Sequence, residues 1–251
     1  KIWAWNKNRV LKIKKYVDSL YVIFPFEVDF YKQYGIDVTY VGNPIFDEIA
    51  KSDFKFSYKF EKPIIALLPG SRKQEINKIL PEMMSVIDMF PNYQFVIGCT
   101  NLFSREYYNS FIQNKDVQLV FDETYGLLRN SIAALVTSGT ATLETALLKV
   151  PQVVCYKTNW ITYLLGRLFL KIKYISLVNI LMDKLVVKEL IQSALNKHNI
   201  TRELDDILKK NESIISDYDR LIKLFDNKRA SKNVAQLIKD YPNVLILSDE
   251  I

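Results

Sequence analysis

From Pro63 onward, short apolar runs alternate regularly with segments of helical periodicity, and this alternation constrains the fold more than any other feature of the sequence. Apolar runs of this length predict strands, and the amphipathic stretches between them predict helices. The predicted strands cover residues 64–68, 94–98, 117–121, 133–137 and 152–156. The predicted helices cover residues 74–90, 103–113, 124–130, 140–149 and 160–170. Strands that alternate with helices form βαβ units, so the sequence predicts an α/β fold with a doubly wound, Rossmann-like parallel sheet.

Outside this region the sequence is less regular, and the differences predict three parts. Residues 1–51 contain two short strand-like runs, 20–24 and 38–41, with a helix that starts at Pro25 between them. A polar and aromatic segment over 52–62 is interpreted as a linker. We therefore predict a first unit over 1–51, a sheet domain over 52–186, and a charge-rich tail that contains only helices over 187–251.

Two loops in this pattern consist of small and polar residues. They are Pro69-Gly70-Ser71-Arg72, after the strand at 64–68, and Ser138-Gly139-Thr140, after the strand at 133–137. The carboxyl ends of parallel strands meet at one edge of the sheet, where ligands bind. Backbone N–H groups at a helix N-terminus bind phosphate, and Arg72 adds a permanent, forked positive charge. Together the two loops predict a site for a nucleoside diphosphate.

Both loops also have a structural interpretation that stays open at this point. Proline and glycine mark turns generally, and Ser71 with Gln74 matches a capping box. A cap residue lies beside the N–H groups that receive an anion, so the two interpretations are compatible. Glu144 lies one turn into the helix that Thr140 opens, on the same face. A carboxylate there would repel a diphosphate, but it is well placed to accept hydrogen bonds from ribose hydroxyls.

Composition argues against several other kinds of site. Cys99 and Cys155 lie in or next to apolar runs and are interpreted as reduced core residues. His198, the only histidine, lies in a polar stretch, so a histidine general base has little support. No cluster has metal-ligand spacing, and we predict neither a metal nor another cofactor. No apolar run reaches the roughly 20 residues of a membrane-spanning helix.

Several motifs together resemble the lipid-A-disaccharide synthase family. In chain order they are Trp3-Ala4-Trp5, Leu68-Pro69-Gly70-Ser71-Arg72, Ser138-Gly139-Thr140-Ala141-Thr142-Leu143-Glu144, Tyr174-Ile175-Ser176-Leu177 with Asn179, and Val187-Lys188-Glu189-Leu190. The resemblance covers essentially the whole chain and corresponds to the C-terminal two-thirds of a full-length enzyme. It implies a two-domain glycosyltransferase-B fold without a metal. It also implies transfer of 2,3-diacylglucosamine from its UDP carrier to 2,3-diacylglucosamine 1-phosphate, with release of UDP.

The resemblance further implies which residues bind the UDP donor. They are Gly70, Ser71, Arg72, Ser138, Gly139, Thr140, Glu144, Asn179 and Glu189. Ser71 and Arg72 would contact the diphosphate, and Glu144 would bind the ribose. Asn179 and Glu189 would line the interdomain cleft near the donor.

The sequence departs from the family pattern in two places, and part of the pattern is not present. Val178 stands where many relatives have proline, and Asn43 where many have histidine, which bears on detail more than on activity. In this family the acidic residue favoured as the acceptor-activating base lies upstream of the Trp-Ala-Trp motif. The chain starts at Lys1, close to that motif, so we expect further protein upstream and place the catalytic residues there. Residues 1–51 would then end the acceptor-side domain, and the tail after Val187 would cross back toward it.

The implied lipid substrates bear on partners and location. The segment 157–173 is apolar and aromatic with four cations, and such a helix can lie in a membrane interface, with a core helix as the alternative. This segment and the net charge of +6 fit contact with a membrane surface. The resemblance implies a cytoplasmic protein that is peripheral on the inner face of a Gram-negative inner membrane. The basic residues are otherwise scattered, which argues against nucleic acid. An orphaned tail would expose apolar surface, so a homodimer is expected.

Other functions stay open at this level. A UDP-GlcNAc 2-epimerase shares the fold and donor class, but it would need acid and base carboxylates and no lipid-facing helix. A peptidoglycan-type UDP-GlcNAc transferase is another enzyme of the same fold. The chain on its own could also bind nucleotide without being active. If Arg72→Ala leaves the affinity for UDP unchanged, the predicted site itself is wrong.

Overall fold

The computed structural model describes residues 8–50, 54–112, 115–159, 173–225 and 229–240. The chain divides into two compact units, one formed by residues 1–51 with 222–251 and the other by residues 52–221. The larger unit contains the main sheet.

The smaller unit combines the beginning of the chain with its last described helix. Its elements are α1 (Asn8–Tyr16), β1 (Tyr21–Val22), α2 (Phe26–Lys32), β2 (Thr39–Tyr40), α3 (Pro44–Ala50) and α11 (Ala230–Lys239). The strands β1 and β2 pair in parallel. The Tyr40 hydroxyl donates to the Phe225 carbonyl at 3.1 Å, and the Ser231 N–H at the start of α11 donates to Asp47 Oδ2 at 2.8 Å. These hydrogen bonds join Phe225 and the start of α11 to the N-terminal segment.

Six strands form the main sheet, in the order β5-β4-β3-β6-β7-β8. They are β3 (Ile64–Leu68), β4 (Gln94–Cys99), β5 (Val117–Phe121), β6 (Ser131–Thr137), β7 (Gln152–Tyr156) and β8 (Lys188–Ile191). All neighbouring strands are parallel. The chain builds one side of the sheet from β3 and then returns to its other side at β6, so the β3–β6 pair is the switch point of a doubly wound sheet. The predicted α/β fold with a parallel sheet is confirmed.

Side chains of the central strand β3 alternate between two buried layers. Ile65 and Leu67 pack into one apolar core, and Ile64, Ala66 and Leu68 pack into the other. All five are at most 5% exposed. Because both faces of the sheet are covered, such strands are continuous apolar runs, which made them visible in the sequence.

Helices connect the strands of the larger unit and follow the last one. They are α4 (Lys73–Met84), α5 (Arg105–Ile112), α6 (Thr124–Arg129), α7 (Thr140–Leu147), α8 (Leu177–Met182), α9 (Lys197–Lys209) and α10 (Glu212–Lys223). The predicted helix over 160–170 lies outside the described residues. The helix predicted to end at Phe90 ends at Met84, where the Ser85 hydroxyl donates to the Glu82 carbonyl at 2.6 Å and competes with further helix. In the described part of the chain, no helix has the length and apolar character to cross a membrane.

The expectation of helices alone after Val187 is wrong at one place. Lys188–Ile191 form β8 at the edge of the sheet, paired in parallel with β7. The strand is short and begins with two charged residues, and both properties keep an edge strand from pairing with other chains. The same charged residues interrupt the apolar run by which a strand is recognised in the sequence. Residues up to 221 therefore belong to the sheet unit, and the boundary expected at 187 lies further along the chain.

The segment expected to be a linker over 52–62 packs on the sheet where it is described. Phe56, Tyr58 and Phe60 lie against the core layer that contains Leu68. From Phe54 onward, aromatic residues alternate with polar ones, and the buried fraction alternates with them. This period of two residues is the signal of an extended, half-buried segment, which the linker interpretation overlooked.

Candidate functional site

A pocket of about 390 Å³ lies at the carboxyl ends of β3 and its neighbours. The described residues that line it come from three adjacent strands, β4, β3 and β6, and from the loops and helix starts that follow the strands. They are Leu68, Gly70, Ser71, Arg72, Glu75, Gly98, Thr100, Thr124, Thr137, Ser138, Gly139, Thr140, Ala141 and Glu144. The two loops singled out in the sequence therefore meet in one pocket. Asn179 and Glu189, which were implied to line the donor cleft, are not among these residues.

The loop after β3 lies close against α4 and the end of β6. The φ of Gly70 is +108°, a value that favours glycine. A Cβ at this position would lie 2.7 Å from Glu75 Oε2 and 3.2 Å from Thr137 Cγ2. The backbone can approach this closely because residue 70 has no side chain.

Arg72 occupies the N-cap position of α4 and points largely into solvent. Its side chain is 81% exposed, and its Nη1 lies 3.2 Å from Glu75 Oε1. An exposed ion pair of this kind contributes little to the free energy of folding, so the guanidinium can leave Glu75 and turn toward an anion in the pocket. The capping-box interpretation of Ser71 with Gln74 is wrong, because the N-cap is Arg72 and Ser71 precedes it.

The loop after β6 is fixed by side-chain hydrogen bonds. Gly139 is the N-cap of α7, with φ +150° and ψ −156°, a conformation that essentially only glycine adopts. The Ser138 hydroxyl donates to the Ile175 carbonyl at 2.9 Å. The Thr142 hydroxyl donates to the Gly139 carbonyl at 2.8 Å and accepts from the Leu177 N–H at 3.2 Å. These contacts hold the start of α7 at the pocket wall, where its N–H groups carry partial positive charge.

Glu144 lies one turn further along α7 and also lines the pocket. The Tyr125 hydroxyl donates to Glu144 Oε1 at 3.2 Å. Burial raises the pKa of the Glu144 carboxyl above its ordinary value, and the hydrogen bond from Tyr125 partly offsets that rise in pKa. A half-buried carboxylate of this kind suits hydroxyl donors, whereas Arg72 and the start of α7 suit an anion.

Asn179 is fully buried behind the loop after β6. Its Nδ2 donates to the Val187 carbonyl at 2.8 Å and to Glu189 Oε1 at 2.9 Å. Its Oδ1 accepts from the N–H groups of Val186 at 2.8 Å and Val187 at 2.9 Å. The side-chain amide thus satisfies backbone groups on two sides and joins α8 to β8.

Glu189 completes this network from β8. Its carboxylate accepts two backbone hydrogen bonds. The Ile175 N–H donates to Oε2 at 3.1 Å, and the Ser176 N–H donates to Oε1 at 2.9 Å. Ile175 in turn accepts the hydrogen bond from Ser138. Glu189 is therefore linked to the pocket loop through Ile175, and the Asn179 side chain is linked to it through Glu189 and Ile175.

Residues in or beside the pocket that sequence reasoning missed include Glu75, Thr100, Thr124 and Tyr125. Thr100 follows β4 and Thr124 follows β5, so the rule that selected the two loops, applied to these strand ends, would have found both. Glu75 was visible only as a neighbour of Arg72 on the predicted helix. Tyr125 had no local signal, because its contact with Glu144 joins positions 19 residues apart.

The cysteines and the histidine take no part in this pocket. Cys99 and Cys155 are buried and not disulfide-bonded, and burial raises the pKa of the Cys99 thiol to about 12, so both are core residues as predicted. His198 is exposed at the start of α9. Within the ranges that the structure describes, no three His, Cys, Asp or Glu residues are grouped so that they could hold a metal ion.

The chain is similar in sequence to proteins of one known family. A family model described as lipid-A-disaccharide synthetase matches residues 1–241. The chain is 38% identical over 220 residues to the lipid-A-disaccharide synthase of Syntrophus aciditrophicus, covering 82% of this chain and 57% of that protein. It is 37% identical over 215 residues to that of Myxococcus xanthus, covering 81% and 56% respectively. The chain thus spans somewhat more than half the length of these relatives.

Solved structures share the fold at low sequence identity. A UDP-GlcNAc 2-epimerase from Neisseria meningitidis, bound to UDP-GlcNAc, is 14% identical with a TM-score of 0.59, covering 86% of this chain and 60% of that one. CalG4, the calicheamicin glycosyltransferase, is 12% identical with a TM-score of 0.58, covering 90% and 54%. The predicted glycosyltransferase-B type of fold is confirmed by these likenesses.

Proposed function

Because the chain belongs to the lipid-A-disaccharide synthase family, we propose that it contains the donor-binding part of an inverting glycosyltransferase of lipid A biosynthesis. The reaction transfers 2,3-diacylglucosamine from UDP-2,3-diacylglucosamine to 2,3-diacylglucosamine 1-phosphate, and gives lipid A disaccharide 1-phosphate and UDP. One observation carries the proposal: the loops after β3 and β6 meet in one pocket with a cation, a helix N-terminus and a carboxylate.

In the proposed complex, the donor diphosphate lies beside Arg72 and the start of α7. The guanidinium and the N–H groups near Thr140 stabilise the negative charge that develops on the β-phosphate as its bond to the sugar breaks. Glu144 accepts hydrogen bonds from the ribose hydroxyls. The acceptor hydroxyl forms the new bond to the anomeric carbon on the opposite face. Its proton passes to a general base.

We assign Asn179 and Glu189 an indirect part in donor binding. Both hold the turn at Ile175 and Ser176, and the Ile175 carbonyl accepts from Ser138 in the pocket. They would then keep Ser138 and the start of α7 in place for the phosphates. This assignment replaces the direct contact that the family resemblance implied.

The first test is calorimetric titration of the chain with UDP, with UMP and ADP in parallel. We expect UDP to bind more tightly than UMP because the proposed site holds a diphosphate, and more tightly than ADP because the proposed donor carries uridine. Arg72→Ala should weaken UDP binding by about 2 kcal/mol, roughly 30-fold, through loss of charge-assisted hydrogen bonds to phosphate. UMP, which lacks the β-phosphate, should lose less affinity in the variant.

Lys73→Ala is the matched control, because Lys73 is the next cation along the chain and is not among the described pocket residues. It removes the same charge from the same surface. Equal losses for the two variants would mean a general effect of charge and would contradict the proposed phosphate contact. If the unaltered chain does not bind UDP, the proposal fails for this chain. Release of UDP from UDP-2,3-diacylglucosamine by a chain extended upstream, with the acceptor present, then tests transfer.

Binding should also depend on the protonation of Glu144. Burial raises the pKa of this carboxyl, so as the pH falls it takes up a proton sooner than an ordinary glutamate would, and it loses acceptor capacity for the ribose. Arg72 and Glu75 are the other charged residues of the described lining, and Tyr125 is the hydrogen-bond donor to Glu144. UDP affinity should therefore fall on acidification from neutral pH.

Glu144→Gln separates this effect from ionisation of the UDP phosphate, which both proteins experience alike. The ratio of unaltered to variant affinity should decline as the pH falls, because only the unaltered chain titrates at this position. Calorimetry across the pH series measures this ratio. A ratio that stays constant would rule out a contact between the Glu144 carboxylate and the ligand.

The epimerase alternative is not favoured, because the family match is to the synthase and the likeness to the epimerase extends to fold alone.

We also propose that the protein is peripheral at the cytoplasmic face of the inner membrane. The segment 157–173 that motivated it lies mostly outside the described residues. Two of its cations are described: Lys157 pairs with Glu82 at 2.5 Å, and Lys173 Nζ lies 4.9 Å from the centroid of the Tyr174 ring. Homodimer formation stays a prediction as well.

A further inference from the structure

The carboxylate proposed to bind ribose is held by a residue from a different helix. Tyr125 lies in the first turn of α6, and its hydroxyl donates to Glu144 Oε1 at 3.2 Å. A carboxylate has two oxygens, with about four positions that can accept hydrogen bonds. The contact with Tyr125 occupies one of these positions and restrains the rotation of the carboxylate group.

Tyr125 is itself held in place by the extended segment that packs on the sheet and contains Phe54. Its ring lies against that of Phe54, with centroids 4.9 Å apart. The next residue, Gly126, lies so close to this segment that a Cβ there would be 2.5 Å from the Lys55 carbonyl oxygen. The start of α6 therefore has a defined position relative to the pocket, and so does the tyrosine hydroxyl.

We propose that Tyr125 is a positioning residue that makes the pocket selective for ribose over deoxyribose. The inference rests on the proposed donor site and adds to it the group that orients Glu144. With Oε1 engaged by the tyrosine, Oε2 keeps a fixed direction and can accept from the vicinal hydroxyls of the ribose. Without the tyrosine hydroxyl, the carboxylate can rotate, and water replaces the missing partner. The ribose hydroxyls of the ligand then contribute less to its binding affinity.

The test compares UDP with 2′-deoxy-UDP and 3′-deoxy-UDP by calorimetry, on the full chain and on Tyr125→Phe. The unaltered chain should prefer UDP to at least one deoxy analogue by about tenfold, the effect expected for a hydrogen bond to a charged group. In Tyr125→Phe this preference should fall to about threefold or less. The affinity for the disfavoured deoxy analogue should change less than about twofold, because that ligand lacks the hydroxyl at issue.

Tyr107→Phe is the matched control, because it also removes a tyrosine hydroxyl that donates a hydrogen bond, to Asn77 Oδ1 at 2.7 Å. It should leave the preference unchanged. If Tyr125→Phe weakens UDP and both analogues equally, the tyrosine has a structural role only and the inference is wrong. An unchanged preference in Tyr125→Phe would also overturn it.

The remaining outcomes distinguish the inference from the function on which it rests. If the unaltered chain binds UDP and the deoxy analogues equally, the ribose contact of Glu144 is wrong, and the inference fails while the diphosphate site stands. If UDP does not bind at all, the proposed function and the inference fail together.

Discussion

Replacing Asn179 with alanine is expected to lower the free energy of unfolding by about 4 kcal/mol. The side chain is fully buried, and its amide makes hydrogen bonds with Val186, Val187 and Glu189. The substitution removes these hydrogen bonds from two N–H groups and a carbonyl in a region with little access to water, and it removes one of the three donors to Glu189 Oε1. Each such group costs about 1–3 kcal/mol when its partner is removed. Denaturant unfolding of the two proteins measures the difference.

Asn109→Ala serves as the control, because Asn109 is an exposed residue of α5. Its expected change is within about 0.5 kcal/mol. The comparison also decides between the two roles considered for Asn179. If Asn179→Ala keeps normal stability and loses only UDP affinity, the residue contacts the ligand directly, as the family resemblance implied, and the structural account is wrong.

Gly126→Val is expected to destabilise the larger unit by about 3 kcal/mol. Helix propensity alone predicts a gain on replacing glycine inside a helix, so the expected loss comes from packing. A Cβ at this position would lie 2.5 Å from the Lys55 carbonyl oxygen and 3.1 Å from Phe56 Cβ. Backbone cannot move aside as a flexible side chain can, so α6 must separate from the extended segment. Thermal or denaturant unfolding detects the loss.

Ser110→Val introduces the same β-branched residue at an exposed position of α5. It should cost less than about 1 kcal/mol, which is the scale of helix propensity alone. Similar losses for the two variants would show that the contact between α6 and residues 55 and 56 contributes nothing beyond propensity. In that case the placement of Tyr125 by this segment would also lose its support.

Long-range pairing explains most of what the sequence reasoning overlooked. The strand β8 escaped because its charged start at Lys188 and Glu189 lacks the apolar run of a central strand, and only pairing with β7 makes it a strand. The alternation of aromatic and polar residues around Phe56 is visible in the sequence, but the linker interpretation overlooked it. Tyr125 and Asn179 act through partners elsewhere in the chain, and no local pattern identifies such partners.

The sequence by itself determined the parallel α/β architecture and the position of the two pocket loops. A strand buried on both faces requires a continuous apolar run, and a parallel connection requires a helix between strands, so local periodicity records both. The tertiary structure decided which side chains serve the pocket directly and which support it. Glu144 lines the pocket, whereas Asn179 is buried behind it, although both had been assigned to the donor site. That difference depends on which distant backbone groups need a hydrogen-bond partner, and only the packed fold brings those groups together.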